Sequence, residues 1–312
     1  MCNKKSEAAY LLERARSADY RSFHLSAAMC MQHRRDVLSA LQAALGRGEK
    51  VLCIATQVIE AGVDISFGAV LRLTAGMDSI VQAAGRCNRN GESETPRPVY
   101  AVNCTDESLG MLRDIQRGKD AALALMEAYK TSPERFDGSL FSDASIRYYY
   151  GTLYRDMAAG EQDDYIQEQK TTLLDLMAMN EKYADERCTD AERYFLRQAL
   201  KTAGQYFSVF EETTTDILIP YGDGKRLITE LCSARCQYDA AHRTAVLKEL
   251  SGYSVGIYQY QKKQLEQARA LTSVCDGCAL VLAEGFYDTD VGLTQTQNSL
   301  AFWEVCDEEH KA

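Results

Sequence analysis

Two stretches about twenty residues apart carry side chains suited to gripping a phosphate-bearing ligand. The first is Ala55-Thr56-Gln57-Val58-Ile59-Glu60-Ala61-Gly62-Val63-Asp64-Ile65. The apolar run 51–55 ahead of it reads as a buried strand that delivers Thr56 to the carboxyl edge of a parallel sheet, where open α/β folds bind ligands. Gly62 allows a backbone turn that other residues resist, so Asp64 can come close to a ligand. The second stretch is Gln82-Ala83-Ala84-Gly85-Arg86-Cys87-Asn88-Arg89. As the start of a helix, its i, i+4 and i+7 positions put Gln82, Arg86 and Arg89 on a common face. Two guanidiniums and an amide facing one way make a receptor for phosphate oxygens, because the planar fork stays charged and binds oxyanions bidentately. Taken singly, the stretches read as well as surface ion pairs and an ordinary strand-turn-helix. Together, in this order and at this spacing, they favour the phosphate receptor.

The elements that must position them alternate. Residues 5–17 set Ala8, Leu11, Leu12 and Ala15 on one helical face, 21–26 read as a strand, and 32–45 as a helix with Val37, Leu38, Leu41 and Leu45 inward. Strands are expected at 51–55, 69–73 and 98–102, with a helix at 79–87. Such alternation predicts a parallel α/β sheet covered on both faces, and Met1-Cys2-Asn3 reads as the tail of a further strand. Beyond Cys104 the pattern turns helical and acidic: one long helix at 107–131, then mostly helical segments at 139–159 and 165–210. A mixed region follows, with strands at 217–220, 253–258 and 280–283, helices at 223–232, 239–250 and 260–271, and strands and turns at 285–304. The expected division is therefore 1–104, 105–210 and 211–312.

With 312 residues, 46% hydrophobic and 26% charged, the chain has an ordinary globular composition and length for about two domains. Its formal charge of −10 argues against holding nucleic acid by bulk attraction alone. Residues 1–100, however, carry 13 Lys and Arg against 10 Asp and Glu, so they are net +3 and the remainder is −13. A polyanion partner is expected at the first third. Eleven cysteines at irregular spacing do not read as a disulfide framework, and no run reaches eighteen apolar residues. A reducing cytoplasm is the expected home, with no membrane association.

The two stretches resemble motifs V and VI of superfamily 2 helicases. The likeness sharpens over His24-Leu25-Ser26, Met29-Cys30, His33-Arg34 and Ala75-Gly76-Met77-Asp78-Ser79-Ile80. It extends to Leu173-Leu174-Asp175-Leu176, Phe195-Leu196-Arg197-Gln198-Ala199 and Phe286-Tyr287-Asp288-Thr289-Asp290-Val291-Gly292-Leu293. In these the chain resembles the carboxyl-terminal portion of the CRISPR-associated helicase-nuclease of type I systems, particularly its I-C subtype. That resemblance implies a second RecA-like motor lobe, a helical linker and a small mixed α/β domain, working in ATP-driven single-stranded DNA translocation in antiviral defence. It implies that Ser26, Thr56 and Gln57 touch the DNA strand and that Gly62 and Asp64 line the nucleotide cleft. Gln82, Arg86 and Arg89 would face the triphosphate, the arginines as fingers on the γ-phosphate. ATP would be shared with a first motor lobe that holds Mg²⁺, and the implied partners are that nuclease and first-lobe portion, single-stranded DNA and the CRISPR surveillance complex. The chain departs from the family pattern at Ala27, Ala28 and Met31, where Thr, His and Pro are common.

A complete motor also needs a G-x-x-x-x-G-K-[ST] loop and a Mg²⁺-holding acidic box. Gly222-Asp223-Gly224-Lys225 and Gly118-Lys119 lack the spacing and the hydroxyl, and Asp307-Glu308-Glu309-His310 reads as an acidic tail. None of the four histidines is followed by Asp, the dipeptide of the family's nuclease. The isolated chain is accordingly expected to hydrolyse no ATP, and a non-catalytic interaction module is the alternative. Cys275-Asp276-Gly277-Cys278 with Cys232 and Cys236 could supply four thiolates to zinc, though isolated cysteines are more often small buried hydrophobes. Tyr148, Tyr149, Tyr150 and Tyr154 between Arg147 and Arg155 could stack on bases or pack between helices, and packing is the expectation.

Overall fold

The computed structural model describes residues 1–16, 19–60, 62–110, 112–160, 165–178, 180, 198–207, 214–275 and 277–294. Two compact units emerge: Met1–Lys119 together with Thr214–Ala312, and Asp120–Thr213.

In the first unit, α1 (Lys5–Ala15), β1 (Arg21–Leu25), α2 (Met31–Gly46), β2 (Val51–Ala55), β3 (Val70–Leu73), α3 (Met77–Ala84) and β4 (Val99–Val102) follow one another. β1 pairs in parallel with β2, Arg21 opposite Val51, and β3 in parallel with β4, Val70 opposite Val99. The helices cover both faces because strand side chains alternate. Ala55 packs toward α2 with Phe23, Leu25, Leu41 and Ala44, whereas its neighbour Ile54 packs toward α1 with Cys2, Ala8 and Leu12. The mixed α/β class is as expected. The single RecA-like parallel sheet is not what the ladders form: there are two parallel pairs, joined through residues 1–3. Cys2 N donates to Ala55 O at 2.8 Å on one side, and Leu73 N donates to Met1 O at 3.0 Å on the other. Three residues are enough for these bonds but too few for a ladder.

The rest of this unit is built around a four-stranded sheet in the order β8-β7-β10-β9, followed by a small hairpin of Tyr287–Asp288 with Gly292–Leu293. Its strands are β7 (Thr214–Leu218), β8 (Ser254–Tyr258), β9 (Leu271–Val274) and β10 (Ala279–Leu282), and only the β7–β10 pairing is parallel. Ile217, Ile219, Val255, Ile257 and Leu282 form one core with Cys30, Leu265 and Phe286. Leu218, Leu227, Leu231, Cys236, Val246 and Leu250 form a second beneath its helices Gly224–Leu231, Ala234–Tyr238 and Ala240–Leu250. Strand β9 was not expected. The helix expected at 260–271 ends at Gln267, and Leu271 begins the hairpin that turns at Cys275.

The second unit contains most of the helix Arg113–Thr131, the helix Asp143–Gly160, a small hairpin Tyr165–Ile166 with Thr171–Thr172, and short helices Leu173–Met177 and Leu200–Tyr206. The helix expected from residue 107 starts six residues later, and the expected helical stretch at 165 opens as the hairpin. Tyr149 is buried and Tyr148 meets Phe136 edge-on at 5.5 Å, as packing requires, while Tyr150 and Tyr154 stack with exposed rings. Residues 181–197, which include part of the Phe195–Ala199 likeness, and the acidic box at 307–310 lie outside the described residues. Among the described residues no helix is long and apolar enough to cross a membrane.

Candidate functional site

The first stretch folds as the sequence suggests. Strand β2 ends at Ala55, Thr56 N donates to Leu25 O at 3.0 Å, and a 3-10 turn Gln57–Ile59 follows. Gly62 takes the left-handed conformation (φ 73°), where a side chain would be strained. Asp64 then emerges exposed.

The second stretch differs. Helix α3 ends at Ala84 and is capped by Gly85, so only Gln82 lies on it, exposed. The common helical face for Gln82, Arg86 and Arg89 does not form. The chain instead turns out of the helix and pairs with residue 67: Phe67 N donates to Arg86 O and Asn88 N to Phe67 O, each at 2.9 Å. That pairing turns Arg86 back onto the first stretch. Its Nη1 donates to Val63 O at 2.6 Å and its Nη2 to Glu60 O at 2.7 Å. Arg86 is 7% exposed, and its buried Nε has no hydrogen-bond partner. Burial, then the neighbouring Arg89, pull its pKa down, and Asp64 opposes them. Arg89 stands outside on the turn. Its Nε donates to Asp64 Oδ1 at 2.9 Å, with both side chains well exposed, and its backbone N–H donates to Ser66 Oγ. The two stretches thus meet as one surface, with Arg86 as its brace and the Arg89–Asp64 pair as its outer edge. A cavity of about 440 Å³ opens beside Asp64, lined also by Ser66, Asn88, Asn90 and Arg97.

Beneath this surface lies a network that the sequence reading did not name. Glu60 Oε1 accepts from Ser79 Oγ at 2.6 Å and from Arg72 Nη2 at 3.1 Å. Arg72, wholly buried, also donates from Nη2 to Ser79 Oγ at 2.8 Å and from Nη1 to Asn3 Oδ1 at 2.7 Å. Burial pushes the Glu60 carboxyl above its ordinary range, against the pull of Ser79 and Arg72. Because Glu60 also holds Arg86 through its carbonyl, this buried pair ties β3 and α3 to both stretches. The available signal was an arginine in the middle of the apolar run Val70-Leu71-Arg72-Leu73, where a charge must have a partner.

The three residues assigned to the DNA strand are mostly inward. Ser26 is fully buried, its hydroxyl accepting from Ala28 N at 3.3 Å; Thr56 is 4% exposed; Gln57 is half-buried. Among the described residues no group of three or more His, Cys, Asp or Glu side chains is arranged to hold a metal ion. Cys236 is buried, Cys275 Sγ donates to Leu231 O at 3.2 Å, and Cys232 and Cys278 are exposed.

A family profile described as the C-terminal region of the CRISPR-associated nuclease/helicase Cas3 matches residues 1–92, the segment that holds both stretches. A CRISPR-associated nuclease/helicase Cas3 of Haloferax volcanii is 67% identical over 39 residues, which is 12% of this chain and 4% of that protein. Among solved structures, T. fusca Cas3 with ATP is similar at 13% identity and a TM-score of 0.49, over 90% of this chain and 35% of that one. A chain of a CRISPR RNA-guided surveillance complex in a pre-nicking state is similar at 12% identity and a TM-score of 0.48, over 93% of this chain and 39% of that one. The chain thus spans little more than a third of the solved chains it resembles. Residues 1–92 belong to the C-terminal region of the Cas3 nuclease/helicase family.

Proposed function

We propose that this chain is part of an ATP-driven translocase on single-stranded DNA in CRISPR defence, contributing one wall of a nucleotide cleft. The observation that supports this best is the Arg89–Asp64 pair, an exposed cation and carboxylate held in place by the buried Arg86 brace. An exposed ion pair is worth little in itself, about 0–1 kcal/mol, so Arg89 can exchange its carboxylate for a phosphate at little cost. The site suits an anionic ligand: a positive-φ glycine brings the backbone in, one guanidinium is exposed and held by Asp64 and the Gly85 carbonyl, and a second is fixed behind it. In this reading Arg89 is the finger on the γ-phosphate, Asp64 and Gly62 line the cleft, and Gln82 faces it from α3. Arg86, with both terminal nitrogens engaged by carbonyls, sets the position of Asp64 and Arg89. A Mg²⁺-bound triphosphate would supply the phosphoryl group for transfer to water. Its phosphate loop and metal ligands come from a first motor lobe on a partner portion, which also carries the nuclease. The same assembly would meet the surveillance complex.

A second reading has one observation in its favour. The inward placement of Ser26 and Thr56 suits an interaction module that grips no strand. The experiment is reconstitution with a polypeptide carrying the nuclease and first lobe, followed by DNA-stimulated ATP turnover. Arg89→Ala should lower turnover by roughly 10³–10⁵ while assembly, read by gel filtration, persists. Wild-type turnover in that variant would remove Arg89 from the finger role, and no turnover in any mixture would favour the interaction module.

A further inference from the structure

Arg89 carries its guanidinium on the surface, with Nε on Asp64 Oδ1 and Nη1 donating to Gly85 O at 3.3 Å. Its main chain is held by a separate set of contacts that centre on Ser66. The Ser66 hydroxyl accepts from Arg89 N at 3.0 Å and donates to Glu92 Oε2 at 2.6 Å. A hydroxyl has one proton to give, and directing it at Glu92 leaves the oxygen lone pairs for the Arg89 amide. The second carboxylate oxygen, Glu92 Oε1, accepts from Asn90 Nδ2 at 3.2 Å. The Ser66 bond is the chief cause that holds the Glu92 carboxyl below its ordinary range, so this acceptor stays charged at neutral pH. Asn88, at positive φ (48°), closes the same turn: its side chain donates to Ser93 O at 2.8 Å and accepts from Ser93 N at 2.9 Å. Residues 88–93 are thus a closed turn. Ser66, beside the Phe67 pairing, fastens that turn to the chain that follows the first stretch.

The separation matters because a guanidinium that leaves Asp64 for a phosphate must move at its side chain while its backbone stays in place. A displacement of about 1 Å in a positioned group can cost roughly a hundredfold in rate. The Phe67 pairing engages Arg86 O and Asn88 N and stops one residue short of Arg89, whose amide goes to Ser66. We infer that Ser66 is a positioning residue for Arg89, fixing through the Arg89 amide the main chain from which the guanidinium reaches an anion. This rests on the finger role proposed above for Arg89. Ser66 also borders the cavity beside Asp64, so direct contact with a ligand is the competing role, and it would show in KM rather than in kcat. Both Ser66 bonds lie at the surface, where water can take the place of a lost partner. Removing the hydroxyl therefore loosens Arg89 more than it destabilises the chain.

Ser66→Ala and Ser66→Thr, which keeps the hydroxyl, are compared in two assays. In the intact chain without nucleotide, hydrogen exchange at the Arg89 amide is read by fragmentation mass spectrometry. Ser66→Ala should speed it roughly threefold to tenfold, as the loss of one hydrogen bond does, and Ser66→Thr should not. Urea unfolding should be the same in both variants as in the wild type. In the motor reconstituted with the nuclease and first-lobe polypeptide, Ser66→Ala should lower kcat of DNA-stimulated ATP turnover roughly threefold to tenfold, with KM for ATP within about twofold. Ser66→Thr should restore kcat. Unchanged Arg89 exchange in Ser66→Ala overturns the positioning role, whatever turnover does. Faster exchange with wild-type kcat, in a mixture where Arg89→Ala stops turnover, also overturns it and leaves the finger standing. A raised KM with kcat unchanged overturns it by making Ser66 a ligand contact. A chain weakened in urea, with kcat not restored by Ser66→Thr, overturns it by making the hydroxyl merely structural. Wild-type turnover in Arg89→Ala, or none in any mixture, overturns the finger role and that of Ser66 with it.

Discussion

Replacing Arg72 by Met tests whether the buried pair beneath the site is structural, and its pH dependence distinguishes a lost ion pair from lost packing. Arg72 is wholly buried and gives hydrogen bonds to Ser79 and Asn3 besides its contact with Glu60. Methionine fills much of the volume, so the main loss is electrostatic. Removing one partner of a buried pair costs about 3–5 kcal/mol, because the remaining charge is left without compensation. Glu60 can escape part of that cost by taking up a proton. Its carboxyl already sits above the ordinary 4.5, chiefly through burial, with Ser79 and Arg72 holding it down; losing Arg72 raises it further. A raised carboxyl means that the folded state holds more proton than the unfolded one between the two pKa values, so stability falls as pH rises through that window. The penalty of Arg72→Met should therefore be small near pH 4.5 and grow toward pH 8. Adding Glu60→Gln should abolish that growth. Urea unfolding of the intact chain, followed by circular dichroism across this pH range, measures it. A penalty below about 1 kcal/mol at pH 8, or one independent of pH, would refute the account.

Two further outcomes follow from the packing. Gly224→Ala puts a Cβ 2.7 Å from the Tyr253 ring and 2.8 Å from Ile219 O, so it should destabilise the chain by about 1–3 kcal/mol in the same urea assay; a cost under 0.5 kcal/mol would mean that the helix start shifts freely. At pH 8, exposed Cys232 and Cys278 should react with a thiol reagent before half-buried Cys53, whose thiol burial pushes up to about 12; labelling of Cys53 ahead of them would contradict its environment.

Much of the fold was legible because its signals are local. Ala8 and Leu12 recur at helical spacing and α1 buries both; the run Val51–Ala55 is bounded by Gly48 and the Thr56 turn, and β2 has those limits. What escaped depends on partners distant in sequence. Strand β9 exists because Leu271–Val274 meets β10 across a turn whose Cys275 takes a positive φ (54°), a conformation that sequence periodicity does not encode. The joining of β2 to β3 through residues 1–3 is likewise a matter of hydrogen bonds some fifty to seventy residues apart.

The site shows the same division. Residue types and spacing singled out the two stretches, and the structure brings them together, yet extending a 3.6-residue period past Gly85 misplaced both arginines. A helix stops where its backbone finds better partners. Here the amide of Asn88 and the carbonyl of Arg86 take Phe67, and the Arg86 side chain takes the Glu60 and Val63 carbonyls. The consequence is functional. On one helical face the two guanidiniums would have been equivalent, and either could have met a phosphate. Turned as they are, one is a fixed brace 7% exposed and the other an exposed cation with a replaceable partner. Arg86→Ala should accordingly disturb the Glu60–Asp64 turn itself, and hydrogen exchange in that turn should quicken without any nucleotide. Arg89→Ala should leave exchange there unchanged. Equal exchange in the two variants would return the arginines to a single role.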